Sequence, residues 1–344
     1  MKKHTSSIIV VGAGIAGLST GCYAQMNGYQ STIFEMHAIP GGLCTAWKRK
    51  GYTFDLSMHF LVGSKSGAFY KMWQELGLME NQHFHYHDEI AYVGGLHKSL
   101  SICADPRRLL DQLIALSPAD AKLSEEFVRL VSGRGMMGAA SLKSSESSGM
   151  FDSLKMLLAV LPHLGMLRRY GNKTFEEFVQ GFQDGFVRDA VRCFGDAPDW
   201  PMQGFPLSAM AGLINATVTE AGVPLGGSQK AVFKIAEKYQ KLGGEIKYKQ
   251  RVTDIIVEND RAVGIRLEDG SEHRADIVVW AGDGHTAIFD ILGGQYLDDK
   301  IRKMYEEWTV VQPLVHVSMG VARDLSAQPH RFIFELEEPL RIAG

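Results

Sequence analysis

The feature that most constrains the fold is a glycine-rich turn that joins an apolar strand to a helix near the start of the chain. Residues 7–11 read SIIVV and are followed by Gly12-Ala13-Gly14-Ile15-Ala16-Gly17. Glycines at this spacing permit a tight turn, close approach of backbone N–H groups to a pyrophosphate, and close packing of helix on strand. The segment therefore predicts a dinucleotide-binding turn, with the phosphates at the helix N-terminus.

A carboxylate completes this motif. Residues 31–35 read STIFE, a second apolar strand that ends at Glu35. A carboxylate placed about 20 residues after the glycines accepts hydrogen bonds from a ribose diol. It also repels a 2′-phosphate, so the sequence favours FAD or NAD over NADP.

Length and composition indicate a globular protein with two domains. The chain has 344 residues, of which 45% are hydrophobic, and this exceeds one ordinary core. The formal charge of −3 provides no basic field, which argues against nucleic acid as a partner.

The cysteines and the N-terminus indicate a cytoplasmic protein. The four cysteines have no CxxC spacing, which is typical of reduced thiols and not of a disulfide framework or zinc site. The apolar run between Lys3 and Cys22 imitates a secretion signal. Cleavage there would destroy the site that Glu35 completes, so we expect the protein to stay in the cytoplasm. No apolar stretch reaches the ~20 residues that span a bilayer.

The pattern along the chain predicts two discontinuous domains. The first comprises residues 1–68 and 222–290, and the second comprises residues 69–221 and 291–344. Between Phe69 and about Ala221 the pattern is mainly helical. Dinucleotide-type patterning then resumes with a helix over 228–243 and a three-stranded meander, with turns at Asn259-Asp260 and Asp269-Gly270 and ADIVVWA as its last strand. An alternating strand is expected at 311–321 in the second domain.

Several segments in this order resemble the phytoene desaturase and retinol saturase family of FAD-dependent oxidoreductases, within the flavin amine oxidase superfamily. They are GAGIAG, Glu35, the Gly41-Gly42 pair, GYTFDLSMHFLVG, PLGGSQ, VTDIIVENDRAVGIRLEDG and AGDGH. The resemblance covers essentially the whole chain. It implies an α/β fold, with a Rossmann-like FAD-binding domain that carries the meander and an inserted α+β substrate domain.

The resemblance also implies which residues hold FAD. Gly12, Gly14 and Gly17 would hold the pyrophosphate, Glu35 the ribose, and Val252 the adenine through its backbone. The full set of cofactor-binding residues is Gly12, Gly14, Ile15, Ala16, Gly17, Glu35, Met36, Gly41, Gly42, Leu43, Val252, Ala281 and Gly282. Many relatives carry an arginine where this chain has Leu43, which leaves a phosphate contact to Lys48 or Arg49.

A departure from the family lies at the C-terminus. Relatives return to the flavin with a last strand, a Gly-Asp pair and a glycine-rich helix start, whereas this sequence stops at RIAG. The resemblance therefore implies a member that lacks its C-terminal part and holds FAD weakly.

Three further features admit more than one interpretation. His59 is a candidate catalytic acid or base near the flavin, or a buried histidine bonded to backbone. His83, His85 and His87 share one face of a predicted strand, which indicates a polar strand face more than a metal site, because a row along a strand does not converge. We assign no metal ligands. Residues 150–171 form either a membrane-surface helix, broken by Pro162, or part of a core; the methionines nearby suit an apolar pocket or ordinary packing.

These observations favour an FAD enzyme that exchanges a hydride with a carbon–carbon bond of an isoprenoid, carotenoid or retinoid-like substrate. The partners expected are thus an apolar small molecule and, through residues 150–171, a membrane surface. A flavin amine oxidase and a catalytically silent fragment are the alternatives.

Overall fold

The computed structural model describes residues 6–95, 97–132, 158, 164–194, 204–308 and 317–334. Its strands are β1 (Ser7–Val11), β2 (Gln30–Glu35), β3 (Ala46–Arg49), β4 (Tyr52–Asp55), β5 (Phe84–His85), β6 (Glu89–Gly94), β7 (Ser99–Cys103), β8 (Val223–Pro224), β9 (Glu245–Tyr248), β10 (Val252–Glu258), β11 (Arg261–Leu267), β12 (Glu272–Arg274), β13 (Ile277–Trp280) and β14 (Phe332–Phe334).

The α-helices are α1 (Ile15–Met26), α2 (Gly67–Glu75), α3 (Pro106–Leu116), α4 (Ala121–Ser132), α5 (Leu164–Tyr170), α6 (Phe175–Val179), α7 (Gly185–Arg192), α8 (Leu207–Glu220), α9 (Ser228–Lys241) and α10 (Asp299–Glu307). A short 3₁₀ helix covers Pro118–Asp120 and a π-helix covers Thr286–Ile291. Within the described ranges, no helix is long and apolar enough to cross a membrane.

The chain divides into two compact units, each with its own core. The first unit contains Met1–His59, Lys71–Phe84 and Val223–Trp308, and the second contains Phe60–Tyr70, His85–Gly222 and Thr309–Gly344. These bounds differ from the predicted domains at residues 60–68, which lie in the second unit, and at residues 71–84 and 291–308, which lie in the first. The predicted boundary at residue 290 was placed where the dinucleotide-type sequence pattern ends. That pattern gives no signal for α10, which comes after residue 290 and belongs to the first unit.

A four-stranded sheet with parallel neighbours forms the centre of the first unit, in the order β13-β1-β2-β9. The two adjacent strands β1 and β13 are nearly continuous apolar runs, because both faces of the sheet are covered. On one face, Ile33 and the Tyr239 ring both lie beside Gly21 of α1, so α1 and α9 pack there. On the other face, Phe34 and the apolar residues of β1 pack against Ile265 and Leu267 of the meander. This is the predicted Rossmann-like fold.

The meander has the predicted turns but a different third strand. Asn259 and Asp260 both adopt positive φ, as a two-residue hairpin turn requires. The third strand is β12, which pairs with β11, whereas the predicted strand ADIVVWA leaves the meander and becomes β13, parallel to β1. Asp276 fixes this crossing, because its carboxylate accepts hydrogen bonds from the backbone N and the hydroxyl of Ser7, at 2.8 and 2.9 Å.

The second unit is an α+β unit in which helices cover a small sheet. Strands β6 and β7 form an antiparallel hairpin, and β14 pairs with β6 in parallel. The stretch predicted to be mainly helical also contains β6 and β7, whose apolar residues pack in one core with those of α3, α4 and α6 to α8. Of the strand predicted at 311–321, the part from 317 onward is not a strand; residues 311–316 lie outside the described residues.

Candidate functional site

The glycine-rich turn lies at the carboxyl edge of the parallel sheet. Gly12 adopts φ +102° and donates its N–H to the Phe34 carbonyl at 2.8 Å, which aligns the turn with the end of β2. Gly14 is the N-cap of α1, and no side chain caps this helix end. The first N–H groups of α1 are therefore available to an anion.

The three glycines of the turn meet different surroundings. A Cβ atom on Gly17 would lie 1.9 Å from the Gly12 carbonyl oxygen, and one on Gly12 would lie 3.3 Å from the Ala281 carbonyl oxygen. A Cβ atom on Gly14 would meet only the Cα of Gly42, at 3.8 Å. Protein atoms thus fill the space around Gly12 and Gly17 and leave the space in front of Gly14 open.

The glycine pair at 41–42 packs directly against this turn. Gly41 donates its N–H to the Ala13 carbonyl at 2.8 Å, and both glycines of the pair have positive φ. A Cβ atom on Gly42 would come within 3.1 Å of the Gly14 Cα. The next residue, Leu43, is 80% exposed, so it contributes no buried contact at this edge.

Glu35 is a buried carboxylate held by backbone donors. Glu35 is 5% exposed. Its two carboxylate oxygens accept hydrogen bonds from the backbone N–H groups of Ala13, at 2.7 Å, and His37, at 2.8 Å. Each carboxylate oxygen has a second lone pair, so Glu35 can still accept from a diol. The neighbouring Met36 is 44% exposed.

The segment after β9 runs beside Glu35. Gln250 donates its N–H to the Glu35 carbonyl at 2.9 Å, and Val252 begins β10 two residues later. Tyr248 is the register partner of Glu35 across β2 and β9. Burial, and then the nearby Glu35 carboxylate, raise the pKa of the Tyr248 phenol. Tyr248 was missed from the sequence, where the only available signal was its position at the end of a strand.

Ala281 and Gly282 follow β13 on the far side of the turn. Ala281 donates its N–H to the Val11 carbonyl at 2.9 Å, and its Cβ would lie 3.3 Å from one built on Gly17. Asp283 accepts the Thr286 N–H at 2.7 Å, and this hydrogen bond lowers the pKa of its carboxyl. Asp283 therefore caps the following helix.

The structure brings most of the predicted residues to one edge and leaves His59 apart. The turn, Glu35, the glycine pair and Ala281 are joined by the backbone contacts above, and Val252 follows two residues after Gln250, which contacts Glu35. His59 is exposed, follows Met58 at φ +68°, and has no hydrogen bond or ring contact with any described residue. The alternative of a buried histidine bonded to backbone is therefore wrong, and a catalytic role stays a prediction.

The FD motif has a structural role that the sequence did not indicate. Asp55, at the end of β4, accepts hydrogen bonds from the backbone N of Ser228 at 2.6 Å and from the Ser228 hydroxyl. Ser228 is the first residue of α9. Asp55 thus caps a helix that is distant in sequence.

Three histidines of the second unit form a ring cluster. The His85 and His87 rings lie 4.3 Å apart edge to face, and the His87 and His330 rings stack at 3.7 Å. Burial, with smaller contributions from His330 and His85, lowers the pKa of His87 to about 4. Only His85 of the predicted row lies in a strand, because β5 is two residues long. No metal-binding group of three ligands occurs among the described residues.

The remaining predictions concern residues 136–171. Most of this segment, including Met136, Met137, Met150 and Met156, lies outside the described residues; α5 covers its end.

All four cysteines are free thiols, as predicted.

Comparisons with known proteins agree with this geometry. A family of NAD(P)-binding Rossmann-like domains matches residues 10–76, which hold the turn, Glu35 and the glycine pair. A neurosporene-forming phytoene desaturase of Cereibacter sphaeroides is 24% identical over 290 residues, which cover 81% of this chain and 53% of the desaturase. The chain therefore spans about half the length of this relative.

Solved structures show the same fold. An oxidoreductase from Methanosarcina mazei aligns with a TM-score of 0.57 and 20% identity, over 87% of this chain and 64% of that one. A putrescine oxidase aligns with a TM-score of 0.55 and 15% identity, over 88% and 63%. The resemblance to phytoene desaturases, inferred from the sequence, is confirmed.

Proposed function

We propose that this chain is the cofactor-binding part of an FAD-dependent oxidoreductase that acts on carbon–carbon bonds of apolar, isoprenoid-like substrates. The observation that carries the proposal is the open space in front of Gly14, beside an uncapped helix N-terminus and the buried Glu35 carboxylate. The similarity to a phytoene desaturase supports the substrate class.

The residues of this edge fit an adenine dinucleotide. Backbone N–H groups at the start of α1, next to Gly14, would receive the phosphates. Glu35 would accept the ribose hydroxyls with its remaining lone pairs and would exclude a 2′-phosphate. Val252, in the strand that starts beside Glu35, would meet the adenine. Ile15, Ala16, Met36, Gly282 and Leu43 complete the proposed set.

The protein's own contribution is to bind and orient the cofactor. FAD, when bound, supplies the hydride chemistry, either dehydrogenating or saturating the substrate. Two backbone hydrogen bonds, from Gly41 to Ala13 and from Ala281 to Val11, hold the turn at the edge of the sheet where the phosphates would bind. His59 is proposed as a proton donor or acceptor, since its ring is exposed and histidine is the side chain that most often serves these roles.

Two further expectations belong to this proposal. An apolar substrate dissolves in lipid, so we propose that the protein contacts a membrane surface peripherally from the cytoplasm. Amine oxidation is the second candidate function, because the fold is also that of a putrescine oxidase.

A matched pair of glycine variants tests the cofactor site. Gly14→Val fills the open space and should abolish FAD binding in a fluorescence titration, while circular dichroism shows an unchanged helix content. Gly204→Val is the control, because a Cβ on Gly204 would have no neighbour within 4 Å and Gly204, like Gly14, does not adopt positive φ. Equal FAD affinity in both variants would refute the assigned site, and absence of FAD binding to the unmodified chain would favour the catalytically silent alternative.

Anaerobic flavin reduction then separates the two enzymatic candidates. The FAD-loaded protein is mixed with phytoene in detergent or with putrescine, and the loss of flavin absorbance is followed. If the enzyme dehydrogenates its substrate, we expect reduction by the polyene alone. Reduction by putrescine alone would assign amine oxidation instead.

A further inference from the structure

The β3–β4 hairpin carries a cluster of cations at its tip. Lys48, Arg49 and Lys50 are consecutive and exposed. None of the three forms an ion pair or a side-chain hydrogen bond with any residue in the described part of the chain. The tip is therefore a local positive surface on a chain whose formal charge is −3.

One face of the same hairpin is aromatic. The register pairs Trp47 with Phe54 and Arg49 with Tyr52, which places all four side chains on one face. The Trp47 and Phe54 rings lie 6.5 Å apart, and the Tyr52 and Phe54 rings 6.4 Å apart. Trp47 is 46% and Tyr52 is 38% exposed, so much of this aromatic face is open to a partner.

The apex of the hairpin holds a lysine at a conformational cost. The two-residue turn is Lys50-Gly51, with φ +49° and +83°, the left-handed backbone that asparagine and glycine adopt most easily. A lysine there is less favourable than asparagine for folding. A strained residue of this kind points to a functional role.

The base of the hairpin is fixed while its tip is free. Asp55 is bonded to Ser228, and the Ala46 carbonyl accepts a hydrogen bond from the Gln229 side chain at 3.4 Å. Both anchors are at the start of α9. The tip residues 48–51 have no such contacts with the described residues, so the hairpin presents them to solvent in a defined orientation.

We propose that this hairpin tip docks on an anionic lipid bilayer, with Trp47 and Tyr52 at the headgroup level and Lys48, Arg49 and Lys50 against the lipid phosphates. Trp and Tyr have the amphipathic rings that are enriched at membrane interfaces. Lysine and arginine there are attracted to acidic lipids. The inference rests on the membrane contact proposed above and identifies the surface that makes it; it does not depend on the flavin.

Vesicle co-sedimentation of the full chain tests the charge contribution. The protein should bind vesicles of phosphatidylcholine mixed with phosphatidylglycerol and not vesicles of phosphatidylcholine alone. Lys50→Asn removes one cation and suits the left-handed turn, so it should fold normally and weaken binding about fivefold. The triple variant Lys48→Gln/Arg49→Gln/Lys50→Asn should weaken it about a hundredfold.

A control triple variant separates the hairpin from total charge. Lys300→Gln/Arg302→Gln/Lys303→Gln removes three exposed cations from α10 and should leave vesicle binding unchanged. Equal loss in both triple variants, or no loss in the hairpin variant, would refute the proposal. So would equal binding to both kinds of vesicle.

Fluorescence and FAD titrations complete the test. The emission of the unmodified protein should shift to the blue on anionic vesicles, and Trp47→Phe should lack that part of the shift. Lys50→Asn should bind FAD with unchanged affinity. A loss of FAD affinity with unchanged vesicle binding would assign the hairpin cations to the cofactor phosphates, which would overturn the docking surface and leave the proposed function intact.

Discussion

At the scale of single residues, the three glycines of the turn meet three different constraints. Gly12 needs its positive φ, Gly17 lies against the Gly12 carbonyl, and Gly14 has ordinary φ with open space. Only Gly14 is thus unexplained by the protein's own packing. The spacing of glycines alone does not distinguish these roles, because all three satisfy the same motif.

Alanine variants should separate packing from ligand binding. Gly17→Ala places Cβ 1.9 Å from a backbone oxygen, which forces the backbone to shift, so the free energy of unfolding should fall by about 1–3 kcal/mol. Gly14→Ala meets its nearest atom at 3.8 Å and should cost less than about 1 kcal/mol. Urea denaturation measures both; similar losses would mean that Gly14 also serves packing.

Glu35 connects the turn to the proposed ribose site, so its two substitutions should differ. Glu35→Ala removes the acceptor of the Ala13 and His37 N–H groups and should weaken FAD binding by about 1–3 kcal/mol, with lower stability. Glu35→Gln keeps one acceptor oxygen and should weaken both properties less. Isothermal titration with FAD gives the affinities, and an unchanged value in Glu35→Ala would remove Glu35 from the ribose site.

At the scale of elements, the junction of β4 with α9 shows what local patterns cannot indicate. The hydrogen bond from the Ser228 N–H to Asp55 joins residues 173 positions apart, whereas that from Ala13 to Glu35 joins residues 22 apart. The hydrogen bond from Ala13 to Glu35 lies within one βαβ unit and follows from a known motif. The hydrogen bond from Ser228 to Asp55 depends on how the whole first unit folds, so neither the glycines nor the FD motif predicts it.

Removing the Asp55 cap should destabilise the first unit. Asp55→Ala leaves the Ser228 N–H and hydroxyl without their acceptor and should lower the free energy of unfolding by about 1–2 kcal/mol. Asp55→Asn keeps an acceptor oxygen and should lower it less. In a double-mutant cycle with Ser228→Ala, the two effects should not add; strict additivity would contradict the contact.

At the scale of the whole molecule, the sequence predicted the first unit better than the second. The Rossmann-like sheet and the meander follow from glycine spacing, apolar runs and paired turn residues, which are all local signals. In the second unit, α3 and α4 follow from their apolar periodicity. Apolar periodicity does not predict the hairpin of β6 and β7, because the strand that completes its sheet, β14, comes from residues 332–334.

The histidine cluster makes the stability of the whole molecule depend on pH. His87 has a pKa of about 4 when folded, below its ordinary value of 6.5, because burial and two neighbouring imidazoles disfavour its charge. Between these values the unfolded chain binds a proton at His87 that the folded chain does not. Stability is therefore unaffected above about pH 6.5 and falls as the pH decreases, with the full loss reached below about pH 4.

Urea denaturation at two pH values measures this contribution. Since His87 is half-buried, solvent screening reduces the effect, and we expect the unmodified protein to lose about 1–2 kcal/mol through this residue between about pH 7.5 and about pH 5. His87→Gln cannot bind the proton, so its stability should fall by that much less over the same range. His97→Gln, at an exposed histidine of the same unit outside the cluster, should behave as the unmodified protein does. If His87→Gln and the unmodified protein lose the same stability on acidification, the stacked His87 and His330 rings do not set this pH dependence.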